Sequence, residues 1–263
     1  IAATRLDRRT SSTTTGVIAG RPLRYLKRDP RMVSLLLDIF LVPLLAAVPM
    51  LVNGGDEVRS PQAALIVTAI PFAVMLIATP MYVGSLISYD GTALWHHIEA
   101  SVTGEEDRRG RAIAVLLVTM PVSLVLAVVI TGWCGQWELL PVVMTEALGA
   151  LLLSTGIGSW MGVVNSMRVA ESRKGNGFNS GSSAGAGCLG GLLGMVAGIP
   201  VAIPMIALVV LVAIEENAWW SILLAFVGGL GWSFLVLHFG IVVGGRRLDR
   251  TWDKVLTKIT PVG

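Results

Sequence analysis

The chain has 263 residues, of which 54% are hydrophobic and only 14% are charged, and its mean hydropathy is +0.73. An ordinary globular domain carries roughly 25% charged residues, so this composition excludes a soluble globular domain and a disordered chain. The two cysteines exclude a disulfide scaffold, and the formal net charge of +3 fits the basic loops of a membrane protein better than a nucleic-acid binder.

The chain is expected to begin with a cytoplasmic polar segment or linker, residues 1–20. In residues 21–30 basic side chains alternate with apolar ones, which predicts an interfacial elbow helix in the lipid headgroup layer, ended by Pro30. The alternative is ordinary basic flanking of a membrane span. The residues assigned to the elbow helix are Arg21, Arg24, Tyr25 and Arg28.

Six apolar runs in residues 21–263 are long enough to cross a bilayer as helices, since about 20 apolar residues suffice. Their continuous apolar character favours helices over barrel strands. We therefore predict an all-α, six-span membrane protein. The predicted spans are 32–52, 63–89, 112–133, 139–167, 187–214 and 219–244.

The basic residues predict the orientation of these spans. With six spans, 19 of the 20 Lys and Arg residues fall on one side, and only Arg59 falls on the other. Basic loops stay in the cytoplasm, so both termini are expected there, in a multi-pass protein of the cell membrane in contact with lipid.

The loop at residues 90–111, between spans two and three, is far longer than the loops on the opposite side. Asp90 and Gly91 indicate a turn, and 92–102 is predicted as a short helix followed by a densely charged turn. Such a helix outside the membrane could receive motion from a soluble motor, and the alternative is a solvated connector. The candidate coupling residues are Asp90, Gly91, Trp95, His96, His97 and Glu99.

Glycines recur at four-residue spacing after a flexible loop that begins at Gly175. This spacing predicts close helix–helix packing, and a phosphate cradle is disfavoured because no strand or P-loop lysine accompanies it. The same spacing occurs at Gly158/Gly162 and Gly240/Gly244. The candidate packing glycines are Gly187, Gly190, Gly191, Gly194 and Gly198.

Asp38 and Glu146 are the acids within predicted spans. An acid at mid-bilayer costs about 2.5–3.5 kcal/mol on insertion scales, so each is either a structural hydrogen-bonding group or part of a polar translocation path. The sequence holds no Walker loop and no His-Glu-x-x-His motif. We therefore expect no catalytic residues, no metal site and no cofactor in this chain.

Four motifs together resemble one family. They are Arg28-Asp29-Pro30-Arg31, Tyr89-Asp-Gly-Thr-Ala-Leu-Trp-His-His-Ile, Thr103-Gly-Glu-Glu-Asp-Arg-Arg-Gly-Arg-Ala and Phe178-Asn-Ser-Gly-Ser. Over nearly its whole length the chain looks like the transmembrane subunits of ABC type-2 exporters, in particular an actinobacterial-like branch. The loop after the second span is the most specific part.

The resemblance implies an elbow helix and a coupling helix, here 92–102, that docks on a separate P-loop ATPase subunit holding ATP and Mg. It also implies a second six-span unit, either the other half of a longer chain or a homodimer mate. Unlike many members of that family, this chain has no large extracellular domain or re-entrant hairpin, with only about five residues between spans five and six.

The leading functional expectation is the permease subunit of an ATP-driven exporter for a drug-like, peptide or lipid-like substrate, with no enzyme activity of its own and no nucleic-acid partner. One alternative is a proton-coupled secondary transporter in which Asp38 or Glu146 titrates. Another is a membrane scaffold or sensor that recruits a cytoplasmic partner through the loop at 90–111.

Overall fold

The computed structural model of the chain describes residues 13–28, 30–53, 60–90, 94–166, 184–215 and 218–259, and the regular structure among them is helical. A 3-10 turn at Trp137–Leu139 immediately precedes the helix Leu140–Val164. The helices in these residues are α1 (Thr14–Arg28), α2 (Pro30–Asn53), α3 (Pro61–Asp90), α4 (Trp95–Glu99), α5 (Gly104–Cys134), α6 (Leu140–Val164), α7 (Ala184–Ile214), α8 (Trp219–Asp249) and α9 (Trp252–Ile259).

Four helical stretches are long and apolar enough to cross a bilayer: α3, α5, α8, and Trp137–Val164, which joins the 3-10 turn to α6. The apolar segments found in the described parts of α2 and α7 are shorter, Ile39–Pro49 and Gly198–Ile214. The chain is therefore a helical protein with the character of a membrane-embedded one, and the count of six spans stays a prediction.

Helix α6 is the most enclosed of these helices. Within its most apolar window 72% of the residues are buried, against 22% for α8. It packs against α3, α5, α7 and α8. Its sequence is rich in Gly, Ser and Thr, and small residues let membrane helices approach closely. The hydroxyls of Thr145, Ser154 and Ser159 donate to carbonyls of the same helix, as Ser159 Oγ does to the Thr155 carbonyl at 2.8 Å.

Glycines make the tightest helix crossings in the described residues. A methyl group on Gly240 of α8 would overlap with the carbonyl of Gly156 of α6, and one on Gly162 would lie 2.8 Å from the Gly84 carbonyl of α3. Gly198 of α7 makes only an ordinary contact, 3.7 Å to Ile157. The surroundings of the other predicted packing glycines, Gly187, Gly190, Gly191 and Gly194, lie outside the described residues.

The N-terminal helix begins earlier than the sequence predicted. The expected boundary at residue 20 falls inside α1, because the apolar Ile18 and Ala19 are buried and continue the helix. Ile18 packs on α5 at Gly110, where a methyl group would lie 2.8 Å from the Ile18 side chain. Helix α1 is described to Arg28 and α2 from Pro30, and the break expected at Pro30 stays a prediction because residue 29 lies outside the described residues.

The loop predicted at 90–111 is shorter than expected, because its second half is helical. Helix α5 begins at Gly104 rather than near residue 112. The Thr103 hydroxyl accepts from the backbone N–H of Glu106, while the Glu106 carboxylate accepts from the backbone N–H of Thr103. This capping box satisfies two N–H groups at the helix start, so the charged segment continues α5 instead of forming a turn. Gly91 and the start of the predicted 92–102 helix lie outside the described residues.

Candidate functional site

A group of buried charged and polar side chains lies where α3 ends and α5 begins. We call Asp90, His97, Asp107, Arg108 and Arg111 the charge cluster, and this end of the bundle the α4 end. Each of the five residues is at most 5% exposed. Asp90 is the last residue of α3 and His97 lies in α4, whereas the other three occupy the first turns of α5. The cluster therefore joins three helices.

Asp107 is the centre of the charge cluster, since its carboxylate contacts three of the other side chains. Arg111 Nε and Arg108 Nε each donate to Oδ2 at 3.0 Å. Arg111 Nη2 donates to Oδ1 at 3.0 Å, and His97 Nδ1 lies 3.0 Å from the same oxygen. Hydrogen bonds to an ionised group are about twice as strong as neutral ones, so the His97–Asp107 contact holds α4 against α5.

Arg111 connects the cluster to α3. It forms an ion pair with Asp90, and its Nη1 donates to the Leu86 carbonyl at 2.6 Å. The two Asp and two Arg residues of the cluster have formal charges that cancel. Matched charges and hydrogen bonds offset the cost of burying ions. Here the charges balance, and one guanidinium nitrogen, Arg108 Nη1, has no hydrogen-bond partner among the described residues.

The hydrogen bonds of His97 define its tautomer. Arg21 Nη1 lies 2.8 Å from His97 Nε2. A guanidinium group can only donate, so Nε2 is the acceptor and Nδ1 carries the hydrogen that is donated to Asp107. His97 thus extends the cluster to α1, the helix that contains the predicted elbow residues.

The opposite face of α4 is exposed. Trp95 is 49% exposed, and His96 and Glu99 are also exposed. Trp95 Nε1 donates to Glu99 Oε1 at 2.8 Å, while His96 Nδ1 lies 3.3 Å from Glu99 Oε2. We call these three residues the α4 face.

A second contact fixes the base of α4. Leu94, which is fully buried, packs in one apolar cluster with Val255 and Ile259 of α9. Because α9 is amphipathic, its Lys254 and Lys258 remain exposed. Helix α4 is thus held from both sides, by the charge cluster and by α9.

The sequence-predicted coupling residues therefore separate into two groups. Trp95, His96 and Glu99 lie together on the α4 face. Asp90 and His97 do not, because their side chains are buried in contact with charged groups of α5. Gly91 and the side chains of Tyr25, Arg28 and Asp38 lie outside the described residues.

Sequence reasoning misses Asp107, Arg108 and Arg111 as members of this site, because their segment is predicted as a densely charged turn. Two signals could have identified it. Thr103 and Glu106 have the spacing of a capping box, and Asp107 and Arg111 have the i, i+4 spacing of an ion pair on one helix face.

Arg108 shows how closely the α4 end is packed. Its guanidinium is buried, and Nη1 has no hydrogen-bond partner among the described residues. That nitrogen would lie 3.2 Å from a methyl group on Gly162. The crossing of α3 and α6 at Gly84 and Gly162 therefore also leaves the space that the guanidinium occupies.

Glu146, the other candidate with a described side chain, lies far from the charge cluster, near the opposite end of α6. It is 2% exposed, and neither carboxyl oxygen has a hydrogen-bond partner among the described residues. Thr68 of α3 is a polar neighbour of this carboxyl. The Thr68 hydroxyl donates instead to the Leu65 carbonyl, at 3.1 Å.

The geometry of the α4 end suits mechanical coupling, because an exposed helix is joined through hydrogen-bonded charges to α1, α3 and α5. Among the described residues, no group of three His, Cys, Asp or Glu side chains could hold a metal ion.

No family model matches the chain, and neither a known protein nor a solved structure matches it.

Proposed function

We propose that the chain is the membrane-spanning permease subunit of an ATP-driven exporter of the ABC type-2 kind. It would move a hydrophobic or amphipathic substrate, such as a drug, peptide or lipid, out of the cell. ATP and Mg would be bound by a separate P-loop ATPase, and a second six-span unit would complete the translocation path. The cell membrane, with both termini in the cytoplasm, is the expected location.

The observation that supports this proposal best is the two-sided construction of α4. Its outward face presents an aromatic ring, an imidazole and a carboxylate, and aromatic side chains are enriched at protein interfaces. Its inward face contacts Asp107 through His97. A push on the α4 face would therefore reach α5 directly and α3 through the Arg111–Asp90 ion pair.

The experiment places a photo-cross-linking amino acid at residue 96 in native membranes, with residue 257 as the control. Both positions are exposed and both lie at the α4 end, but Thr257 is on α9. The expected result is a cross-link from position 96, and not from 257, to a protein that hydrolyses ATP. After reconstitution with that ATPase, export of a fluorescent amphiphile should require ATP.

Substitution of the partner's catalytic glutamate by glutamine should then abolish export. The proposal fails if purified chain hydrolyses ATP by itself. It also fails if position 96 is protected by lipid, or if flux continues without ATP.

A second candidate, a proton-coupled transporter, is favoured by one observation, the unpartnered carboxyl of Glu146 within the bundle. Intramembrane carboxyls of this kind often serve as proton relays. This candidate predicts flux that survives ATP depletion and collapses with the proton gradient. A scaffold or sensor would instead bind a partner at the α4 face without any flux.

A further inference from the structure

An apolar groove of about 410 Å³ runs along the bundle between α6 and α8, with Val201 of α7 at one side. Its walls include the rings of Trp160, Trp232 and Phe239. The Trp232 indole N–H donates to the Val201 carbonyl at 2.8 Å, so its one polar group is already satisfied. The volume lies within the range of ligand pockets, and the almost wholly apolar lining suits a hydrocarbon chain.

Glycines form the floor of this groove. Gly156 and Gly240 both line it and meet backbone to backbone, at the contact where a methyl group on Gly240 would overlap with the Gly156 carbonyl. The absence of side chains at these two positions leaves a recess between the helices.

The dimensions of the groove match one leaflet of a bilayer. Its lining on α8 extends from Trp232 to Val243, which corresponds to roughly 16 Å of helix at 1.5 Å per residue. Half of a hydrocarbon core of about 30 Å is roughly 15 Å. The groove runs from the middle of α8 towards the α4 end, so it would face the leaflet on that side.

The face of α8 that lines the groove ends at two basic residues. The lining positions 236, 239, 240 and 243 follow the three- and four-residue spacing of one helix face, and the next positions on that face are Arg246 and Arg247. Both arginines are exposed, and neither has an ion-pair partner among the described residues. A basic pair one helical turn beyond the last lining residue of an apolar groove is complementary to a lipid with an anionic headgroup.

We propose that this groove is a binding site for an anionic phospholipid of the leaflet on the α4 side. One acyl chain lies along Trp160, Trp232 and Phe239, and the phosphate lies between Arg246 and Arg247. The site requires neither the ATPase partner nor substrate transport, so a result that contradicts the proposed function would leave this lipid site untouched.

The test uses the purified full-length chain in nanodiscs that contain phosphatidylglycerol with a photoactivatable diazirine on one acyl chain. Mass spectrometry of the cross-linked peptides should place the adducts mainly at residues 156–160 and 232–243. Val243→Trp should fill the groove and remove these adducts. Val227→Trp is the matched control, because Val227 is 62% exposed on the same helix but does not line the groove.

The headgroup contact is tested by the double variant Arg246→Gln/Arg247→Gln. Its affinity for phosphatidylglycerol should fall roughly thirtyfold, since each basic residue near the headgroups contributes about fivefold. Lys254→Gln/Lys258→Gln on α9 removes the same charge and should leave the affinity unchanged.

Three results would overturn the proposal. Adducts as frequent around Val227 as in the groove would indicate ordinary boundary lipid. Efficient disulfide cross-linking of two Val243→Cys copies would indicate that a second copy covers the groove. Competition by glycerol phosphate without acyl chains would show that the arginines bind free phosphate rather than lipid.

Discussion

The carboxylate of Asp249 accepts a hydrogen bond of 2.6 Å from the backbone N–H of Gly104. Asp249 is the last residue of α8, and Gly104 is the first residue of α5. A carboxylate is favourable beside the N-terminus of a helix, where N–H groups lack intrahelical partners. This contact joins two span-capable helices at the α4 end. It requires a glycine at position 104, because a methyl group on Gly104 would overlap with the Gly245 carbonyl.

Replacement of Asp249 by alanine should lower the free energy of unfolding by about 0.5–1.5 kcal/mol, the net contribution of a typical hydrogen bond, because the Asp249 carboxylate is partly solvated. The measurement is an SDS titration of the purified protein in detergent, followed by helical circular dichroism. Asp253→Ala, on the exposed side of α9, is the control and should change little. Equal effects of the two substitutions would show that the Gly104 contact does not contribute.

Alanine substitution should change the melting temperature at His97 but not at the neighbouring His96. His97→Ala removes the hydrogen bonds to Asp107 and Arg21, and should lower the melting temperature. His96→Ala should leave the melting temperature unchanged, because this side chain is exposed. It should weaken binding of the ATPase that we propose as the partner. A stability loss in His96→Ala equal to that in His97→Ala would contradict the two-sided description of α4.

Asp107→Asn should be among the most destabilising single substitutions outside the apolar core. It leaves Arg108 and Arg111 with one carboxylate, that of Asp90, and breaking a buried ion pair in this way costs about 3–5 kcal/mol. Glu105→Gln is the matched control on the same helix, since Glu105 pairs with Arg109 at the surface, where such pairs contribute about 0–1 kcal/mol. Similar unfolding curves for the two variants would refute the structural role of the charge cluster.

The sequence predicted the four long apolar helices and the short helix α4 because both depend on local pattern. Span-like runs such as residues 63–89 are recognisable by length and hydropathy alone, and α3 contains the whole of that run. Trp95, His96 and Glu99 lie within the helix predicted for the loop between spans.

Burial of individual charged residues could not be predicted in the same way. Asp107 and Arg111 appear in the sequence as part of a charged segment that water could equally well solvate. Their burial depends on α1, α3 and α4, which approach from elsewhere in the chain, and on glycines such as Gly162 that leave room for a guanidinium. Gly84 was also missed as a crossing point, because its partner, Gly162, is distant in the sequence.

Gly240→Ala should destabilise the bundle, whereas Gly231→Ala should not. A methyl group at Gly240 has no space against the Gly156 backbone, while one at Gly231 would meet nothing within 4 Å. Both glycines lie within α8, so the intrinsic gain in helix propensity, about 1 kcal/mol in water, is the same for both. Thermal unfolding in nanodiscs gives the comparison, and equal melting temperatures for the two variants would contradict the Gly156–Gly240 contact.

Glu146→Met should raise stability, because both carboxyl oxygens are buried without a hydrogen-bond partner among the described residues. Removing such an unsatisfied group while keeping the side-chain volume should contribute about 1–3 kcal/mol. Glu138→Met, at an exposed position in the 3-10 turn before α6, serves as the control and should have little effect. A loss of stability in Glu146→Met would mean that the carboxyl has a polar partner in the folded protein.

The same variant separates the two candidate functions, since ATP-driven export should continue without the carboxyl, whereas proton-coupled transport should stop.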